Sequence, residues 1–181
     1  LVAQWRSWRE PALDGWGRMP FSRVAEISQD PVDPVPASTS GRWAVRLDDE
    51  LIEVMLETVQ GGPYPSPVLF MEARHTGTAV GARNQTVSFA ARDAEFCLEI
   101  VGLLVGEGAD EELYRRVRAA WERLEPSLAT HPGYVNFVEG EERVSMARSA
   151  FPDEVRARLS AVSRRYDPAG VFRYGAPLHR W

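Results

Sequence analysis

The chain has 181 residues, 44% of them hydrophobic and 26% charged, which is the balance of one ordinary globular domain able to bury a core. Its formal charge of −5 argues against a nucleic-acid partner, which would need a basic face. All 21 basic residues other than histidine are arginine, so no Schiff-base or lysine-nucleophile chemistry can come from this chain.

No apolar run reaches the roughly 18 to 20 residues needed to cross a bilayer, and no charged-then-apolar signal segment opens the chain. The expectation is a soluble protein with no membrane partner. A single cysteine, Cys97, excludes an internal disulfide and a cysteine metal cluster, which is compatible with a cytoplasmic location. Leu1 is not an initiator methionine, and the chain reads as a piece of something longer.

Residues 1–42 read as an irregular arm rich in aromatics and proline, with Pro11, Pro20, Pro31, Pro34 and Pro36 breaking any long helix. Trp5, Trp8, Trp16 and Trp43 call for burial, which predicts that the arm lies on a partner surface or on a missing half of the protein. Trp43–Leu47 alternates as a strand, and Asp48-Asp49-Glu50 starts a helix that Gly61-Gly62-Pro63 stops. Val68–Arg74 is strand-like, Gly77–Gly81 is a glycine-punctuated turn, and Thr86–Ala90 alternates as a further strand.

Phe96–Val105 has almost no polar residue except Glu99 and fits a central strand, with Cys97 as a small buried hydrophobe. Gly106-Glu107-Gly108 is a plain connection. Ala109–Leu128 places Leu113, Val117, Trp121 and Leu124 at helical spacing. A second helix over Pro152–Tyr166 ends at Asp167-Pro168, and the turn after it is expected to bury Val171 and Phe172. Its Arg164 and Arg165 could meet an anionic phosphate, but an arginine pair on a helix reads first as a solvated face. The order of elements implies an α+β fold, an antiparallel sheet with helices packed on one face. His75, His131 and His179 show no metal-ligand spacing, so no metal site is expected.

Gly133-Tyr134-Val135-Asn136-Phe137, the arginine-rich helical run after it, and Tyr166-Asp167-Pro168-Ala169-Gly170-Val171-Phe172-Arg173 together carry a resemblance. They resemble the C-terminal signature of the berberine-bridge-enzyme-like FAD-linked oxidases, flavoproteins with a vanillyl-alcohol-oxidase type FAD domain. Glu72–Val80 is similar to the strand and glycine turn of that family's substrate domain, and Thr86–Arg92 to the strand that follows. The family's glycine pair is here Thr76-Gly77-Thr78, so the backbone path near substrate can differ. The resemblance makes residues 43–181 a substrate-type domain, incomplete relative to the family's full chain, with the C-terminal segment at about 132–177.

It implies the cofactor FAD, bound by an FAD-binding half in the same polypeptide or in a separate subunit, and a small-molecule substrate bearing an alcohol, sugar or secondary-metabolite hydroxyl. Such a chain would be inactive alone. Strand alternation puts Tyr134 and Asn136 on one face, with Val135 and Phe137 on the other. The resemblance makes Tyr134 the base, or an assistant to it, in hydride transfer. It makes Asn136 a hydrogen-bonding contact of the flavin ring and Arg92 the cation that brings the phenol into range. The alternative is a non-catalytic remnant, or a small-ligand binding or oligomerisation module without flavin, hiding its aromatic arm in a homo-oligomer.

Overall fold

The computed structural model describes residues 2–10, 14–28, 35–60, 68–81, 87–104, 109–138 and 142–172. The first of two units, Leu1–Pro34, contains the helix Val2–Trp8 (α1) and a 3-10 helix over Phe21–Ser28, where the sequence alone predicted irregular chain. Trp5, Trp8 and Trp16 are exposed there.

The second unit, Val35–Trp181, holds β1 (Ala37–Ala44), α2 (Asp49–Gln60), β2 (Val68–His75), α3 (Gly77–Gly81) and β3 (Phe96–Leu103). Then come α4 (Ala109–Leu124), a 3-10 turn over Glu125–Ser127, β4 (Leu128–Val138), α5 (Glu142–Ser149) and α6 (Asp153–Tyr166). The strands form one antiparallel sheet in the order β2-β3-β1-β4. This is the α+β fold that the element pattern implied, with the apolar β3 in the interior of the sheet.

Hydrophobic burial against α2 and α4 holds one face of the sheet. Leu98 and Ile100 of β3 meet Leu51 and Val54 of α2 and Leu113, Val117, Trp121 and Leu124 of α4 in one cluster. Each fully buried leucine or isoleucine of that set contributes about 1.5–3 kcal/mol relative to exposure. Gly102 belongs there because a Cβ would run into the Leu113 side chain, so its absence lets α4 lie directly on the strand. α2 starts where the backbone N–H of Leu51 donates to Asp48 Oδ1 at 3.0 Å, and Asp49 and Glu50 in the first turn suit the helix dipole. α4 stops at Leu124, short of the expected Leu128, because Pro126 sits in the 3-10 turn that leads into β4.

β1 lies six residues earlier than the Trp43–Leu47 pattern predicted. Its Ser40 and Arg42 point to the helix face, 8% and 4% exposed, and a side-chain network replaces the apolar alternation. Trp121 Nε1 donates to Ser40 Oγ at 2.9 Å, Arg42 Nη2 pairs with Glu142 Oε2 of α5 at 2.7 Å, and the Arg42 guanidinium lies 4.9 Å above the Trp121 ring. Burial pushes the Arg42 pKa down, and Glu142 opposes that shift.

Three local expectations need correction. Gly77–Gly81 is a single helical turn, and Val87–Ala90 pairs with no strand. Val171 and Phe172 are exposed: their backbone N–H groups donate to the Asp167 carboxylate at 2.7 and 2.9 Å, so hydrogen bonds form this turn instead of burial. Gly61-Gly62-Pro63, Thr86, Val105, Gly106-Glu107-Gly108, Arg173 and His179 lie outside the described residues.

Candidate functional site

Register fixes what the other face of the sheet presents. Arg74, Cys97 and Trp43 are paired across β2, β3 and β1, and one step away come Glu72, Glu99 and Gly41. Since Ser40, Arg42, Leu98 and Ile100 face the helices, the period of two turns this second set away from them.

An aromatic row crosses this face. Phe89 meets Trp43 edge-on at 5.1 Å, Trp43 meets Tyr134 at 4.9 Å, and Tyr134 meets Phe137 edge-on at 4.8 Å. A cation caps each end: the Arg92 guanidinium 4.7 Å over Phe89 and that of Arg74 5.6 Å over Phe137. Gly41 makes room for the row, because a Cβ there would come within 2.8 Å of Phe137 Cβ.

Tyr134 and Asn136 are together, with Asn136 Nδ2 donating to the Tyr134 phenol oxygen at a long 3.5 Å. Phe137, predicted on the opposite face, joins them. The cause is a bulge: a step of two residues along β1, from Ser40 to Arg42, is matched by a step of five along β4, from Val138 back to Gly133, so simple alternation fails there. A second bulge of the same count follows between Arg42 and Ala44. As an edge strand carrying Pro132, β4 tolerates both. Its start is pinned by Asp93 Oδ2, which accepts from the Thr130 N–H at 3.0 Å and hydroxyl at 2.9 Å.

Arg92 donates to the Val80 carbonyl at 2.7 Å and to that of Phe89 at 3.1 Å, tying α3 to the segment that carries Phe89. Phe89 and Trp43 are the rings that join it to Tyr134. A cavity of about 580 Å³ opens beside Phe89 and Arg92, bounded also by His131, Val155 and Arg158.

Glu99 is the residue that sequence reasoning passed over. It is 4% exposed, and its Oε2 has no hydrogen-bond donor among the described residues. Arg74 Nη2 lies 3.1 Å away but also pairs with Glu72, so the contact is an ion pair without hydrogen-bond geometry. Burial raises the Glu99 pKa above the usual carboxylate value; Arg74 pulls it down and Glu72 adds to the rise. Glu99 stood out in the sequence as the acid of an apolar strand, and the pairing of β3 with β1 sets it on the face of Trp43. Burial pushes the neighbouring Cys97 thiol up to about 11, which leaves it un-ionised at neutral pH and unsuited to act as a nucleophile. Among the described residues no group of three histidine, cysteine or carboxylate side chains gathers as a metal site, and no helix is long and apolar enough to cross a membrane.

A flat face bearing a row of rings, one tyrosine–asparagine pair and one desolvated carboxyl suits contact with a planar conjugated molecule on which a proton must be moved. No family model and no curated protein matches the chain. Solved structures do. The chain is similar to 6-hydroxy-D-nicotine oxidase from Arthrobacter nicotinovorans, with 20% identity over 97% of this chain and 40% of that one and a TM-score of 0.69. It is similar to berberine bridge enzyme from Eschscholzia californica, with 16% identity, 82% and 34% coverage and a TM-score of 0.64. A carbohydrate oxidase from Microdochium nivale gives 12% identity, 81% and 33% coverage and a TM-score of 0.61. The fold is therefore that of part of the berberine-bridge-enzyme type of oxidase, as the residues around Tyr134 implied. The chain spans between a third and two-fifths of the length of these proteins.

Proposed function

We propose that this chain is the substrate-domain and C-terminal portion of an FAD-dependent oxidoreductase, and that its sheet face opposite α2 and α4 covers the flavin ring with a hydroxyl-bearing substrate between them. The observation that carries the reading is the Phe89–Trp43–Tyr134–Phe137 row on that face, in a fold shared with three oxidases. The fit to a flavin is with its ring. Gly41 keeps the face low where Phe137 lies across it, the orphaned Glu99 oxygen offers an unsatisfied acceptor, and Asn136 brings an amide to the edge. FAD, held by an FAD-binding half, supplies the hydride acceptor.

The chain's own residues then have separable tasks. Tyr134 removes the substrate hydroxyl proton, with Asn136 orienting the phenol and donating to the flavin ring. Arg92 supports the positive potential around the row from its position over Phe89. Glu99, whose Oε2 accepts no hydrogen bond among the described residues, holds a polar substrate group. The aromatic rings exclude water from the proton transfer. In this reading the unit from Val35 to Trp181, which holds β1, is the substrate-type domain, and the aromatic arm of residues 1–34 lies against the FAD-binding half.

The test is Tyr134→Phe in the full-length protein with flavin bound. The reading predicts a fall in kcat of about 10²- to 10⁴-fold, the usual worth of a positioned general base, with flavin content unchanged. Unchanged turnover would remove Tyr134 from the chemistry.

A further inference from the structure

The cavity of about 580 Å³ beside Phe89 is the gap between the Val87–Ala90 segment, which does not join the sheet, and the first two turns of α6. Its volume lies within the range of roughly 300–1,000 Å³ common to small-molecule sites. Its walls are set by the chain itself. Phe89 is held edge-on against Trp43, and Arg92 donates to the carbonyls of Val80 and Phe89, which fixes the segment on one side. On the other side Pro152 precedes the first turn of α6, and Val155 in that turn lines the opposite wall.

Apolar groups give the cavity its interior, and Val87 is 48% exposed on that wall. The polar groups do not call for a charged ligand. Glu154 and Arg158 stand four residues apart on α6, acid before base, the order in which such charges offset one another best. Arg92 spends donors on two backbone carbonyls, so a ligand meets it through the plane of its guanidinium, which already lies 4.7 Å over the Phe89 ring. A guanidinium plane beside an aromatic ring attracts a further π system more than a saturated chain.

Position ties the cavity to the sheet face. From Tyr134 the aromatic row reaches Phe89 through Trp43 in two ring contacts of 4.9 and 5.1 Å, and the cavity opens where the row ends. A substrate whose hydroxyl sits at Tyr134 and whose body lies along the row brings its far end to this opening.

We infer that the cavity between Phe89 and α6 is a specificity subsite for a neutral aromatic ring, carried by the substrate at the end remote from its oxidised hydroxyl. The inference rests on the proposed placement of that hydroxyl at Tyr134, and it names the substrate class as an aryl-bearing alcohol in preference to a free sugar.

Titration of the full-length protein with N-phenyl-1-naphthylamine, a neutral aromatic dye whose emission rises in apolar surroundings, tests it. The expected result is saturable one-to-one binding, with 4-phenylbutan-1-ol displacing the dye at a concentration at least about tenfold below that needed of butan-1-ol. Val87→Asp and Val155→Asp each set a carboxylate on the wall and should weaken dye binding about tenfold. Leu56→Asp, at an exposed apolar position of α2 outside the cavity, should leave it unchanged. Val87 is already exposed, and circular dichroism checks that the fold of each variant persists. The titration needs no flavin, so the two readings fail separately. A colourless protein that binds the dye in a Val87- and Val155-sensitive way keeps the aromatic subsite and loses the flavin reading. A yellow protein without saturable dye binding keeps the flavin reading and overturns the subsite. Binding that both wall substitutions leave unchanged, or equal displacement by the two alcohols, also overturns it.

Discussion

At Glu99 and Asp93 the protein places two carboxyl groups under opposite influences, and each leaves a signature in the pH dependence of stability. Burial raises the Glu99 pKa in the folded state. Its stabilising contribution is therefore full below the unfolded carboxyl value and is lost as pH rises through the folded pKa. Burial also pushes Asp93 upward, but the two hydrogen bonds from Thr130 outweigh it and the folded pKa lies below the ordinary value. Its contribution is present above the unfolded value and is lost as pH falls through the folded one. Glu99→Gln should thus gain stability relative to the parent protein as pH rises above the ordinary carboxyl value. Asp93→Asn should lose about 0.5–1 kcal/mol at neutral pH, the worth of hydrogen bonds to a charged group after solvent screening at an exposed site, with the loss shrinking in acid. Urea denaturation from acid to neutral pH measures both; parallel pH profiles for variants and parent would refute the assignment.

The element on which the site depends is β4, an edge strand with two bulges and α5 against it. Gly133 allows this contact, because a Cβ there would meet the Met146 carbonyl, Ser149 Oγ and the Ala150 N–H. Gly133→Ala is predicted to cost about 1–3 kcal/mol, the range for overpacking against atoms that cannot move, and to lower the urea midpoint with an unchanged m value. Glu142→Gln removes the partner of buried Arg42 from the same helix and should cost a similar 1–3 kcal/mol, the penalty for an unmet buried donor. A midpoint within error of the parent in either variant would show that α5 is not held as described.

These same elements mark how far the sequence could be read. α2, α4, α6 and β3 were legible because their apolar residues follow the period of the element. β1 was misplaced because Ser40 and Arg42 look like loop residues, and their burial depends on Trp121 and Glu142, 81 and 100 positions away. Val87–Ala90 alternates like a strand, but Phe89 packs edge-on against the Trp43 ring and the segment does not join the sheet. The pairing of Tyr134 with Asn136 was legible from alternation; the arrival of Phe137 beside them was not, because a bulge leaves no local pattern in the sequence. Glu99 was visible as the one acid in an apolar strand, yet its exposure to a functional face required the register of β1 and β2.

At the scale of the whole molecule, the second unit is a sheet with one face sealed by helices and the other carrying rings, an amide and a desolvated carboxyl. The relatives in fold are oxidases about two and a half times as long as this chain, by the shares of both chains that are covered. The account therefore makes the ring-bearing face an interface with a flavin held elsewhere in the full-length protein, and predicts that side chains on this face are felt by the flavin's electrons. The most direct measurement is the visible absorption spectrum of the intact protein compared with that of Asn136→Ala. The account predicts a yellow protein whose flavin bands shift when the Asn136 amide is removed, at unchanged flavin content. A colourless intact protein, or flavin bands identical in the two, would contradict it.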